Sequence, residues 1–218
     1  MKGIPSSGHL HTLNRIAEMR RTLSAIRTAT DDQDHLTLMV TSGAKGEGKT
    51  TVASGIALAA AANRRHRVLL VDYNWYAPAI HTHFETELLD SPQTFYGADA
   101  LDNLIVSTPR GVDVLPAAKL DSAFQGAIIG SEGYDHHLIE EARHRYDTIV
   151  VDTSSAFPEN QWMRDPVLLS SMVSGVILVC LTNITPRSTL KRTAVALKTH
   201  GANLLGVVAN QWRNPIHA

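Results

Sequence analysis

Short apolar runs punctuate the chain: Leu36-Thr37-Leu38-Met39-Val40, Val68-Leu69-Leu70-Val71, Val112-Asp113-Val114-Leu115, Thr148-Ile149-Val150-Val151, Val176-Ile177-Leu178-Val179 and Leu204-Leu205-Gly206-Val207-Val208. They are rich in β-branched residues and mostly lack polar alternation, which predicts strands buried on both faces. Between them lie segments of helical period. Residues 13–27 place Leu13, Ile16, Leu23 and Ile26 on one face, residues 50–62 are Ala-rich, and 131–145 and 189–200 read as further helices. Strands alternating with helices predict an α/β architecture: one doubly wound, mainly parallel sheet of about seven strands flanked by helices. Residues 1–12, opening on a Gly-, Ser- and Pro-rich stretch, read as a flexible lead-in, and Asp31-Asp32-Gln33-Asp34 as a polar turn. No linker or repeat divides the chain, so residues 1–218 read as a single domain.

Composition narrows the classes. Twenty Lys+Arg against twenty-one Asp+Glu give a net charge of -1, which argues against a bulk nucleic-acid binder. One cysteine, Cys180, excludes a disulfide framework and a Cys-rich metal site, and it ends an apolar run as a core residue would. Eleven histidines include the pairs His9/His11, His81/His83 and His136/His137, but none has a metal-protease spacing. No signal peptide or bilayer-spanning run is present. The expected setting is the cytoplasm, with any approach to a membrane made through a partner and without direct insertion.

The chemistry-bearing signal follows the first strand. Gly43-Ala44-Lys45-Gly46-Glu47-Gly48-Lys49-Thr50 fits the P-loop pattern, with a buried strand before it and a helix after it. Glycines let successive backbone N–H groups turn inward around a polyphosphate, and the helix N-terminus adds positive potential. Residues 43–51, including Thr51, are therefore candidate binders of ATP or ADP. Lys49 would reach the outer phosphates and the Thr50 hydroxyl would hold Mg2+. Asp72 and Asp152 each close an apolar run. At the carboxyl ends of parallel strands both would face the phosphates, so Lys49, Asp72 and Asp152 are the candidate catalytic residues, and Thr50, Asp72 and Asp152 the candidate metal ligands. Either aspartate alone also fits a cap on the following helix or turn. Asn210, after the last strand, suits adenine recognition because an amide donates and accepts, and equally suits a strand-end turn.

Lys45, four residues before Lys49, resembles the extra lysine of the deviant P-loop in MinD/ParA-type ATPases; a solvated loop lysine is the alternative. More of the chain, roughly residues 13–212, resembles the cytoplasmic domain of bacterial tyrosine kinases, the BY-kinase family of capsule and exopolysaccharide systems. The match is carried by Thr41-Ser42 through Thr51, by Val68 to Asp72 with Pro78, His81 and Phe84, and by Tyr146-Asp147-Thr148-Ile149-Val150-Val151-Asp152-Thr153. Gly175 to Val179, Thr185-Pro186 and Gly206-Val207-Val208-Ala209-Asn210 extend it. The resemblance implies ATP and Mg2+ binding, a role in polysaccharide synthesis or export, and a membrane co-polymerase or chain-length regulator as adaptor at the inner face of the cytoplasmic membrane. It also implies self-association through the helix carrying Glu18 and Arg21.

Three departures qualify it. The association motif ends in Ser24 where the family has arginine. The family's Asp-x-Asp followed by arginine reads here Asp72-Tyr73-Asn74-Trp75-Tyr76, and an asparagine cannot accept the tyrosine proton. The family's tyrosine-rich tail is replaced by Asn210-Gln211-Trp212-Arg213-Asn214-Pro215-Ile216-His217-Ala218. A nucleotide site mostly kept, with phosphotransfer parts altered, points to an ATPase whose tyrosine kinase activity is weak or lost. The alternatives are a MinD/ParA-type positioning ATPase and a non-catalytic scaffold. The Trp75-Tyr76 pair either covers the nucleotide, meets a partner or packs under a loop.

Overall fold

The computed structural model describes residues 7–31, 35–90, 100–119, 132–157 and 163–211. The elements in chain order are α1 (Ser7–Ala29), β1 (Leu36–Ser42), α2 (Lys49–Ala61), β2 (Val68–Asp72), α3 (Ile80–Phe84), α4 (Ala100–Leu104), β3 (Val106–Ser107), β4 (Asp113–Leu115), α5 (Glu132–Arg143), β5 (Thr148–Ser155), α6 (Pro166–Leu169), a 3-10 turn (Ser170–Met172), β6 (Gly175–Leu181), α7 (Arg187–Thr199) and β7 (Leu204–Asn210). The strands form one seven-stranded sheet in the order β3-β4-β2-β5-β1-β6-β7. All neighbours are parallel except β3 and β4. The doubly wound α/β sheet expected from the apolar runs is the observed architecture.

The runs are unbroken because successive residues feed two separate cores. Met39, Leu69, Val71, Ile149, Val151 and Val176 face α5 and α7, where Leu138, Ala142 and Leu197 close over them. Leu38, Val40, Leu70, Val150, Ile177 and Val179 face the other way, onto Leu23 and Ile26 of α1 and Val52, Ala53 and Ile56 of α2. A strand with both faces covered gains nothing from a polar residue on either. The edge strand β7 differs: Gly206, Val207 and Ala209 are exposed.

Several boundaries depart from the sequence reading. Helix α1 starts at Ser7, so half of the lead-in assigned to residues 1–12 is helical. The local Gly, Ser and His residues carry little helical signal, and the apolar periodicity begins only at Leu13. Strands β1, β5 and β6 run two to four residues beyond their apolar cores, to Ser42, Ser155 and Leu181. There the polar side chains are buried yet bonded: Thr41 Oγ1 donates to Ser154 O at 3.0 Å, and Thr153 Oγ1 to Val40 O at 2.9 Å. Strand β3, of two residues, and the short helices α3, α4 and α6 carried no periodic signal. Residues 1–6, 32–34 and 212–218 lie outside the described residues.

Leu38, fully buried at the centre of β1, and Val207, 49% exposed on the edge strand, give a direct test of this layering. Leu38→Ala is expected to lower unfolding free energy by about 3 kcal/mol, and Val207→Ala by less than about 0.5 kcal/mol, in urea titrations.

Candidate functional site

The carboxyl ends of β1, β2 and β5 converge on the loop 43–48. In the sheet Asp72 pairs in register with Asp152, and Val40 with Asp152. The β1–β5 register slips between Val40 and Ser42, where the strand turns into the loop. Gly48 sits at φ 88°, caps the N-terminus of α2, and lies so close to the Asn210 amide that a Cβ there would overlap Nδ2. Gly43 packs under α7, where an added Cβ would lie 2.7 Å from Thr189 Cγ2. Both positions exclude a side chain for reasons of space, and Gly48 also for its backbone angle.

The loop is braced by its own residues. Lys49, 7% exposed, donates from Nζ to Ser42 Oγ at 3.1 Å, and Ser42 Oγ donates to Ala44 O at 2.6 Å. Burial holds the Lys49 ammonium below its usual pKa, opposed by the Asp152 and Glu47 carboxylates. Glu47, one of the candidate nucleotide-binding positions in the sequence, is buried. It accepts from Ala44 N–H at 2.9 Å and from the Thr185 hydroxyl, while Asn210 Nδ2 donates to Glu47 O at 3.0 Å. One carboxylate thus ties the loop to the β6–α7 connection, and one amide ties it to the end of β7. Thr185 was visible in the sequence as part of a Thr-Pro pair; its bond to Glu47, a partner far away in the chain, was not. Ala44, Lys45, Gly46 and Thr51 are exposed along the rim.

The two aspartates are both buried but differently employed. Thr50 Oγ1 donates to Asp152 Oδ2 at 2.6 Å, and Asp152 Oδ1 is buried without a hydrogen-bond partner. Asp72 Oδ1 accepts from Asn74 N–H at 3.1 Å and its Oδ2 from Ile80 N–H at 3.3 Å, so it anchors the β2–α3 loop as a cap would. Desolvation pushes both carboxyl groups well above the ordinary carboxylate range, and the Asp72 charge adds to the shift at Asp152. A hydroxyl beside an orphaned carboxylate oxygen, next to a lysine, is the oxygen-donor set that suits a hard divalent cation such as Mg2+.

The aromatic pair after Asp72 splits. Trp75 is 4% exposed and enters the α5-side core with Tyr73. Tyr76 is 46% exposed, with its ring centroid 5.9 Å from Lys45 Nζ at the rim. The Asn74 side chain donates from Nδ2 to Ala77 O at 2.8 Å, a bond that an ionised aspartate cannot make. On α1, Glu18, Arg21 and Ser24 are all exposed. Among the described residues no cluster of three or more His, Cys, Asp or Glu could hold a metal, and no helix is long and apolar enough to cross a membrane. Cys180 is half-buried with its thiol pKa raised by desolvation.

A family model described as the CobQ/CobB/MinD/ParA nucleotide binding domain matches residues 38–218. The chain belongs to this family. Within it the chain is 27% identical over 197 residues to the tyrosine-protein kinase YwqD of Bacillus subtilis (strain 168), covering 89% of this chain and 80% of that one. The kinase domain of VpsO superposes with a TM-score of 0.77 at 26% identity, covering 94% of this chain and 98% of that domain. The septum site-determining protein MinD of Pyrococcus horikoshii OT3, solved with Mg-ADP, superposes with a TM-score of 0.65 at 21% identity, covering 82% and 71%. This CobQ/CobB/MinD/ParA domain therefore carries the P-loop fold with bacterial tyrosine kinases among its relatives.

The raised carboxyl pKa values fix a pH dependence. The folded state holds protons on Asp72 and Asp152 more tightly than the unfolded chain does, so their contribution to stability falls as pH rises from the carboxylate range toward neutrality. Asp152→Asn removes the buried charge. In the nucleotide-free protein it is expected to raise the melting temperature by about 4 °C at about pH 8 and by much less at about pH 5. A lower melting temperature for the variant at the higher pH would contradict this.

Proposed function

We propose that this protein is an ATP- and Mg2+-binding P-loop ATPase of the BY-kinase type, regulating exopolysaccharide or capsule synthesis or export, with tyrosine kinase activity weak or lost. What carries the reading is the meeting of Lys49, Thr50 and Asp152 around the loop 43–50, with Asp152 Oδ1 left without a partner. In this reading Gly43 to Thr51 hold the phosphates of ATP or ADP, Lys49 meets the outer ones, and Thr50 and Asp152 hold Mg2+, with Asp72 behind them. The cation supplies charge neutralisation at the phosphates. Lys49, now bonded to Ser42, would contribute its charge to the phosphates, and the Thr50 hydroxyl, now bonded to Asp152, would be available to hold the cation with it. Asn210, fixed against Glu47 and Gly48, would read the base in this account.

Asn74 supports the loss of tyrosine transfer. It stands where the BY-kinase pattern has an acid, and its amide is committed to Ala77 O, so it neither accepts nor relays the hydroxyl proton. A membrane co-polymerase or chain-length regulator would serve as adaptor at the inner face of the cytoplasmic membrane. Self-association through the Glu18–Arg21 face of α1 would be weak, given Ser24.

The test is incubation with labelled ATP, alone and with a cognate co-polymerase, scoring free phosphate and phosphotyrosine separately. Slow phosphate release with little phosphotyrosine is expected; ready autophosphorylation would overturn the reading. Lys49→Met is expected to weaken ATP binding at least about tenfold by calorimetry, since a charge-assisted contact to phosphate is lost. Unchanged affinity would remove the loop from the account. Asn74→Asp is expected to raise transfer to a supplied tyrosine peptide while lowering stability by about 1 kcal/mol, the loss of one hydrogen bond.

A further inference from the structure

Beside the site lies a buried cation that the reading above does not use. Arg164, from the segment after β5, is 5% exposed. Its guanidinium carbon lies 4.4 Å from the Tyr73 ring centroid and 4.4 Å from that of Trp75. Nη1 is ion-paired with Asp135 Oδ1 of α5, both side chains being almost fully buried. The Arg164 backbone is also held, because its carbonyl accepts from Ser154 Oγ at 3.1 Å, two residues after Asp152. A planar guanidinium suits this place: its faces meet rings while its edge meets a carboxylate, and an ammonium cannot do both.

The two rings flank Asn74. Tyr73 and Trp75 enter the α5-side core, whereas Asp72 and Asn74 stay outside it, bonded to each other through Asn74 N–H and Asp72 Oδ1. Gripping residues 73 and 75 therefore fixes residues 72 and 74. We propose that Arg164 is a positioning residue: held by Asp135 and Ser154, it clamps Tyr73 and Trp75 so that Asp72 and Asn74 are presented rigidly beside the phosphate loop. Arg164 links the strand end of Asp72 to that of Asp152 from behind, on the face opposite α2. Its role in turnover rests on the ATPase reading; its role in holding the loop does not.

Two variants test it. Arg164→Lys keeps the charge and loses the planar stack, and Trp75→Leu keeps the ion pair and loses one ring. By hydrogen exchange, both are expected to speed exchange of Asn74 and Ala77 amides at least about tenfold while leaving residues 43–51 unchanged. Phosphate release is expected to fall about tenfold, with KM and Mg-ADP affinity within about twofold of wild type. Unchanged exchange at residues 74–77, or a loss of protection spread evenly over the domain, would each overturn the positioning role. If wild type releases no phosphate, the ATPase reading fails by itself, and the exchange pattern alone decides the clamp.

Discussion

Two carboxyl groups withdrawn from water at adjacent strand ends set the terms for everything around them. Removing an ionised carboxylate from solvent is costly, and two in register are costlier still. The fold meets that cost locally. Asp72 is given two backbone N–H groups, and Asp152 is given the Thr50 hydroxyl and the nearby Lys49 ammonium. One oxygen, Asp152 Oδ1, is left without a partner. Burial therefore leaves both acids holding their protons more tightly than exposed carboxyl groups do.

The sheet makes that placement possible. Because β1, β2 and β5 are parallel neighbours, their carboxyl ends fall on one edge, and loops of quite different sequence are brought together there. The apolar layers on each face fix the register, since a one-residue slip would exchange the two cores. The loop 43–48 is then braced by Glu47 to Thr185 and by Asn210 to Glu47, so the loop, the β6–α7 connection and the end of β7 are mechanically joined. Arg164 performs the matching task on the far side, joining the Asp72 loop to the segment after Asp152.

Much of this was readable in the sequence because its determinants are local. Apolar runs of four to five residues give the buried strands, and the spacing of Gly43, Gly48, Lys49 and Thr50 gives the loop within eight consecutive positions. The illegible parts depend on distant partners. Helix α3 exists because Asp72 caps it and Ile80 and Phe84 are buried, not because of any helical period. Trp75 could not be assigned to core or rim until Arg164 and the α5-side core were in view. The extension of β1 and β5 into Thr and Ser residues was hidden because those side chains bond to each other's strands. Helix α1 was underestimated because Ser7, Gly8, His9 and His11, ahead of the apolar stripe that begins at Leu13, carry little helical signal.

If a magnesium nucleotide is what the buried acids await, its binding must drive protons off them. Calorimetry of Mg-ADP binding at about pH 7 in two buffers of very different ionisation enthalpy measures that release directly. Between about one half and one proton is expected to leave per nucleotide bound, and none when ADP is added without Mg2+. Buffer-independent heats, together with an affinity indifferent to Mg2+, would contradict a metal-nucleotide site at Thr50 and Asp152.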